Sequence, residues 1–287
     1  MNAVIRDRYK GPEMARVMSF VMAVFILVPV IAPSIGQVIL IFFNWEAIFW
    51  MFLITALLVC IWFSMRLDET LLPESRQPLS FRKIRNGMIE VLKTRTALGY
   101  TLATGFLFSP FVGYLSSSQQ IFADGYGKKD EFPLLFASLA LTFGVASLVN
   151  ARLVYRYGLK RLCFASVSVI TGLSGIFLLG ILGMDKMPPL WLFMGYMMII
   201  FPGIGFLFGN LNALAMEPLG HIAGVGAAMI GSLSSLISIP LGILIAGAFN
   251  GTVLPLVTGF SLCGLAVLFS IIWAEKNPQS KVVVENP

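Results

Sequence analysis

The stretch Val17-Met-Ser-Phe-Val-Met-Ala-Val-Phe-Ile-Leu-Val-Pro29-Val-Ile-Ala32-Pro33-Ser-Ile-Gly36-Gln-Val-Ile-Leu-Ile-Phe-Phe43 decides the fold. It runs for 27 residues without a charge, longer than the roughly 20 residues a helix needs to cross a bilayer. Proline cannot donate a backbone hydrogen bond, and its ring clashes with the carbonyl four residues earlier. Two prolines four apart therefore predict a helix loosened along one side, either as a packing bend or as a hinge. In a membrane the freed carbonyl must find a neighbouring helix or a wet cavity.

The rest of the chain is of the same kind. Hydrophobic residues make up 57% of its 287 residues and charged residues 12%, and its mean hydropathy is +0.87. A soluble domain of this length needs far more surface charge. The net charge of +6 would suggest nucleic acid in a soluble chain; here its distribution reads as membrane orientation instead, and no nucleic-acid partner is expected. Cys60, Cys163 and Cys263 lie far apart within apolar runs, without CxxC or Cys/His pairing. They indicate neither a metal site nor a disulfide framework. No cofactor is implied, and no small-residue cleavage site follows the basic start to mark a signal peptide.

Apolar runs recur at Val17 to Phe43, Ala47 to Met65, Thr96 to Ala123, Pro133 to Ala151, Leu162 to Met184, Pro189 to Met216, Ala223 to Phe249 and Val253 to Ala274. These predict an all-α polytopic bundle of eight spans. Sorting the connecting segments by side places 17 of the 20 Lys and Arg residues with the two termini and three, Lys128, Lys129 and Lys186, opposite them. Basic residues stay on the cytoplasmic side, so both termini are expected there, in the cell inner membrane. Residues 66–95 form the long interruption. Its first half, with Pro73 and Pro78, reads as linker, and Phe81, Ile84, Met88 and Val91 recur at helical spacing beside Arg82, Lys83, Arg85 and Lys93. That pattern predicts an amphipathic helix along the cytoplasmic interface, serving as a plain connector or as a regulatory or partner-binding element.

Certain residues resemble a known family. Ala3-Val-Ile-Arg6-Asp7, Ala15-Arg16-Val-Met-Ser19, Pro29 to Gly36, Trp45 and Phe49 are similar to the fourth-to-fifth-span junction and fifth span of the major facilitator superfamily, in its bicyclomycin-resistance and chloramphenicol-efflux branch. Tyr114-Leu-Ser-Ser-Ser118, and Asn212-Ala-Leu-Ala-Met-Glu217-Pro218-Leu-Gly220 leading into Ala223-Gly224, agree. Pro29, Ala32, Pro33 and Gly36 stand where drug antiporters carry their fifth-span motif. Arg152-Leu-Val-Tyr155-Arg156-Tyr157-Gly158-Leu-Lys160-Arg161 resembles the second copy of the family's basic inter-span loop, with Tyr155 in place of its Asp.

The resemblance covers spans five to twelve of twelve. It implies residues 1–65 as a remnant of the N-terminal half, 66–95 as linker and 96–287 as the six-span C-terminal half with its tail. It also implies a transporter that moves a drug or metabolite by alternating access, coupled to protons. No carboxylate falls inside a span, and mid-membrane ionisable groups are what usually mark proton paths, so coupling would reside in spans this sequence does not hold.

The candidate cavity wall begins with Thr104, Phe108, Phe111, Tyr114 and Ser118, spaced four, three, three and four, an aromatic helix face with polar ends. Pro110 should loosen that helix. Met194, Met198, Phe201, Gly205, Phe208 and Asn212 make a second stripe beside Pro202-Gly203, a candidate hinge. Asn210 and Asn212 are costly against lipid and should face protein or water. Both stripes read equally as helix packing. Gly224, Ala228, Gly231, Ser235, Ser238 and Gly242 recur at four, three, four, three, four, a seam for close helix approach or for sliding.

Two other readings are open. Gly172-Leu-Ser174-Gly175 and Gly220-His221-Ile-Ala-Gly224 resemble the motifs of rhomboid intramembrane proteases. Ser174, however, lies twelve residues into its span, about 18 Å deep at 1.5 Å per residue, and His221 at its edge, so serine and base cannot meet. No catalytic residue is assigned and no enzyme is expected. The second is a non-transporting relic, or a partial transporter completed by a separately encoded four-span partner.

Overall fold

The computed structural model describes Val28 and residues 31–66, 81–184 and 187–276. Arg6, Asp7 and Pro29 lie outside the described residues. Regular structure among the described residues is helical throughout, as a span must be where no water can satisfy the backbone. The helices are α1, Ile31–Phe42, then α2, Glu46–Arg66; α3, Phe81–Lys93; α4, Arg95–Gln120; α5, Phe132–Tyr157; α6, Leu159–Ile181; α7, Leu190–Met216; α8, Ala223–Gly247; and α9, Leu254–Glu275. A π-helical turn, Ile121–Gly125, prolongs α4, and a 3-10 turn, Glu217–Ile222, joins α7 to α8.

Six helical stretches among the described residues are long and apolar enough to cross a membrane, and one of them, Leu190–Gly247, comprises both α7 and α8. Seven of the eight expected spans are thus present as helices, and α1 is the described part of the first. Helix α3 stands where the sequence predicts a helix beside the linker.

The basic segment between the fourth and fifth spans needs correction. The expected loop from Arg152 to Arg161 is helix on both sides of one residue, Gly158, at φ 80° and ψ 153°. Only glycine adopts that backbone readily. Arg156 lies in the last turn of α5 and Lys160 and Arg161 in the first turn of α6, because long basic side chains reach water from a helix end without interrupting it.

The described chain divides into two compact units. One holds α1, α2 and residues 133–141. Its helix α2 buries none of its residues and is apolar on every side, the composition of a membrane span. Trp45 and Phe49 meet edge to face at 5.8 Å. Ala32 is exposed, and Pro33 and Gly36 are partly so.

The second unit comprises residues 81–132 and 142–276 of the described chain. Its centre is α4, which packs on α7, α8 and α9, while α6 packs on α7 and α9. Small residues permit this. A β-carbon on Gly242 would stand 2.6 Å from Val112 Cγ1 and 2.9 Å from the Ser109 carbonyl oxygen. Three buried hydroxyls on α4 are satisfied within the helix: Thr101 donates to the Ala97 carbonyl at 2.6 Å, Ser109 to the Gly105 carbonyl at 2.9 Å and Ser117 to the Gly113 carbonyl at 2.8 Å. Helix α4 runs unbroken through Pro110, α7 through Pro202 and α8 through Pro240.

Candidate functional site

The aromatic face of α4 meets α7 and α5. Phe108 lies edge-on to Phe208 at 5.1 Å and to Phe111 at 5.9 Å. Phe111 approaches Phe201 at 5.8 Å and stacks on Phe143 at 6.0 Å. Tyr114 meets Phe201 at 5.1 Å. Tyr114 and Phe201 are buried, whereas Phe108, Phe111, Phe143 and Phe208 keep part of their surface exposed. Six rings from three helices thus share one wall, and four of them are partly exposed. Edge-to-face pairs direct ring edges at ring faces, which fixes the rings against one another.

Helices α5 and α7 come together closely enough that a β-carbon on Gly205 would stand 2.7 Å from the Phe143 carbonyl oxygen. Seven residues beyond Phe143, Asn150 and Asn210 donate to each other's amide oxygen, both at 2.9 Å. Asn210 is buried. The expectation that it faces protein therefore holds in this geometry, and its partner Asn150 was missed. A single amide in the apolar run Leu148-Val149-Asn150-Ala151 was the available signal.

The remaining candidates part company. Asn212 lies 200° around α7 from Asn210 at 100° per residue, and its amide donates to the Phe208 carbonyl at 3.2 Å. Met198 is 41% exposed and joins none of the ring contacts; at 60° from Phe201 it falls on the rim of the face. Thr104 donates to the Tyr100 carbonyl at 2.8 Å, and buried Ser118 to the Leu115 carbonyl at 3.4 Å.

The small-residue seam of α8 divides into a buried and an exposed part. The buried residues of α8 are Gly226, Ile230, Ser234, Ser238 and Gly242, an i, i+4 ridge that slants across the helix. The predicted seam runs nearly straight and meets this ridge only at Ser238 and Gly242. Gly224, Ala228, Gly231 and Ser235 are exposed.

At the end of the bundle carrying the basic residues, Glu275 accepts from Tyr100 Oη and Lys160 Nζ, each at 2.8 Å. Arg95 Nε donates to the Trp273 carbonyl at 2.7 Å, and Arg156 lies over the Tyr157 ring. Gly158, Lys160, Arg161 and Glu217 border an open groove of about 530 Å³. At the other end Tyr126 stacks on Phe193 at 5.9 Å, its hydroxyl is without a partner among the described residues, and burial pushes its phenol pKa up. Ser174 and Tyr196 share a buried hydrogen bond of 2.9 Å, and His221 meets Glu90 at 2.7 Å. Neither residue of the protease-like pair is thus directed at the other.

Comparison with known proteins adds the family. A bicyclomycin resistance protein homolog of Haemophilus influenzae is 27% identical over 288 residues, which cover 97% of this chain and 70% of that protein. The uncharacterized MFS-type transporter YdgK of Bacillus subtilis is 29% identical over 239 residues, 82% of this chain and 58% of its own. The multidrug resistance protein MdtL of Shewanella sp. strain ANA-3 is 24% identical over 253 residues, 86% of this chain and 62% of its own. The chain thus spans 58 to 70% of the length of these relatives, whose names agree with the branch its residues resemble. The family model of the Major Facilitator Superfamily matches residues 1–242, and with most of its length inside that match the chain belongs to this superfamily, a family of membrane transporters and not of enzymes.

Proposed function

We propose that this chain contributes the C-terminal half of an exporter of lipophilic drugs or metabolites, with the ring wall of α4, α5 and α7 as the substrate-binding surface. The observation that carries this reading is the convergence of Phe108, Phe111, Phe143 and Phe208, all partly exposed, around buried Tyr114 and Phe201. A soluble carrier would hide such rings. A transporter cavity needs them, because apolar ligands of varied shape are held by surfaces rather than by fixed hydrogen bonds. The names of the relatives from Haemophilus influenzae and Shewanella, which speak of bicyclomycin and multidrug resistance, support the substrate class.

In this reading the six helices of residues 96–274 rock as a body against a partner half, with residues 66–95 as the linker, carrying the ring wall between the two sides of the inner membrane. Both termini lie in the cytoplasm, as the distribution of Lys and Arg favours. Protons drive the cycle through residues outside these spans. The stretch from Pro29 to Gly36 serves as the hinge of the N-terminal part, and the basic turn around Gly158 as a cytoplasmic contact.

A second reading has a specific observation behind it. Gly224, Ala228, Gly231 and Ser235 present a stripe of small residues that the described residues leave exposed. Such a stripe suits close approach of a further helix, so transport would require four more spans, on this polypeptide or on a separate one.

The test is dye accumulation in cells. A strain lacking the gene should accumulate a fluorescent lipophilic compound about tenfold over the strain carrying it, and Phe111→Ala should recover most of that difference at unchanged protein level. Equal accumulation with and without the gene, across a panel of such compounds, would overturn the exporter reading.

A further inference from the structure

Helix α3 presents chemically distinct sides. Its sequence, Phe81-Arg-Lys-Ile-Arg-Asn-Gly-Met-Ile-Glu-Val-Leu-Lys93, divides into sectors at 100° per residue. Gly87 and Val91 form the docked side: both are buried, and a β-carbon on Gly87 would stand 3.0 Å from Val225 of α8. Roughly 100° around lies an uncovered apolar shelf of Phe81, Met88 and Leu92, exposed by 83%, 39% and 46%. Arg85, Arg82 and Lys93 follow along the shelf's far edge. Beyond them opens a groove of about 420 Å³ lined by Asn86, Ile89, Glu90, Lys93 and Thr94. The helix carries one carboxylate, Glu90, and His221 holds it at 2.7 Å, which leaves the basic edge without a local counter-charge on this helix.

We propose that this face binds anionic phospholipid, with the phosphate headgroup against Arg82, Arg85 and Lys93 and the acyl chains over Phe81, Met88 and Leu92. An apolar shelf flanked by cations is what an interfacial helix needs, since the shelf enters the acyl boundary while the cations meet headgroup charge. The partner is therefore a lipid rather than a protein groove: the shelf and the basic edge adjoin along the whole helix, and the docked side already has its protein neighbour. The cytoplasmic leaflet, where the Lys and Arg distribution is expected to place this helix, carries negative lipid. This inference stands independently of what the transporter carries.

The test is native mass spectrometry of the whole protein extracted from bilayers of phosphatidylcholine with about 30% phosphatidylglycerol of matched acyl chains, a composition that mimics an anionic leaflet. The wild type should retain phosphatidylglycerol over phosphatidylcholine by about fivefold or more, as expected for several cations at one surface. R82Q/R85Q/K93Q should lose that preference, and R82K/R85K should keep it, which separates charge from misfolding. An unchanged preference in the Gln variant, or none in the wild type, overturns the proposal. Displacement of the lipid by millimolar inorganic phosphate would also overturn it, because the shelf would then contribute nothing.

Discussion

Asn150 of α5 and Asn210 of α7 are joined by two reciprocal amide hydrogen bonds of 2.9 Å each, a polar staple between two apolar helices. It lies beyond the point where Phe143 meets Phe111, so it holds α5 against the α7 side of the ring wall. Measured polar contacts between membrane helices are worth about 0.6 kcal/mol on average and up to about 1.7 kcal/mol. Asn210→Leu should cost more than that, since Asn150 is left with an amide it cannot pair. N150L/N210L should recover part of the loss, and a double-mutant cycle of unfolding in detergent measures the coupling. Strictly additive single variants would mean that the two amides do not act as a pair.

The ring wall predicts a separation between binding and stability. Phe108 and Phe111 are partly exposed, whereas Phe201 is 3% exposed. Phe201→Ala should open a core cavity and cost about 3 to 5 kcal/mol, lowering folded yield. Phe111→Ala should cost much less in stability and weaken retention of a lipophilic aromatic ligand by roughly tenfold. Melting curves and ligand titration on the two purified variants read both quantities. Equal loss of stability would make the wall ordinary packing.

Which parts of this arrangement were legible beforehand follows from how each signal is encoded. Long apolar runs have few alternatives to spanning helices, so the bundle and even the ends of α7 and α9 were readable within a residue or two. The face from Thr104 to Ser118 was also legible, because its period is a property of one helix. Asn150 was not, since a hydrogen bond between residues 60 apart depends on where two helices cross. Which small residues of α8 touch α4 was not legible for the same reason: the sequence shows which residues are small, and the crossing angle decides which of them touch. Arg152 and Arg156 looked like loop because charge suggests water, yet a helix end already supplies water.

The buried and exposed parts of the seam make opposite predictions for two glycines of α8. At Gly242 a β-carbon would meet Val112 and the Ser109 carbonyl, whereas at Gly231 nothing lies within 4 Å. Gly242→Val should force α8 away from α4 and reduce the yield of monodisperse protein several-fold, a cost of about 1 to 3 kcal/mol for overpacking. Gly231→Val should leave yield unchanged. If further spans approach the exposed stripe, it should still reduce transport; size-exclusion profiles and efflux of the two variants distinguish the cases.

Glu275 links three helices: it sits at the end of α9, Tyr100 donates to it from α4, and Lys160 from α6. The two bonds differ in kind. Lys160 is 52% exposed at its side chain, and exposed ion pairs contribute about 1 kcal/mol or less. Tyr100 is fully buried as a residue, and a buried hydroxyl stripped of its acceptor costs about 1 to 3 kcal/mol. Lys160→Ala should therefore shift the thermal midpoint little. Glu275→Ala should shift it clearly, and Tyr100→Phe placed on top of Glu275→Ala should restore part of the loss by removing the orphaned hydroxyl. Comparing midpoints of the three proteins in one detergent checks this, and a larger effect from Lys160→Ala than from Glu275→Ala would show that the ion pair, not the part-buried hydrogen bond, ties these helices together.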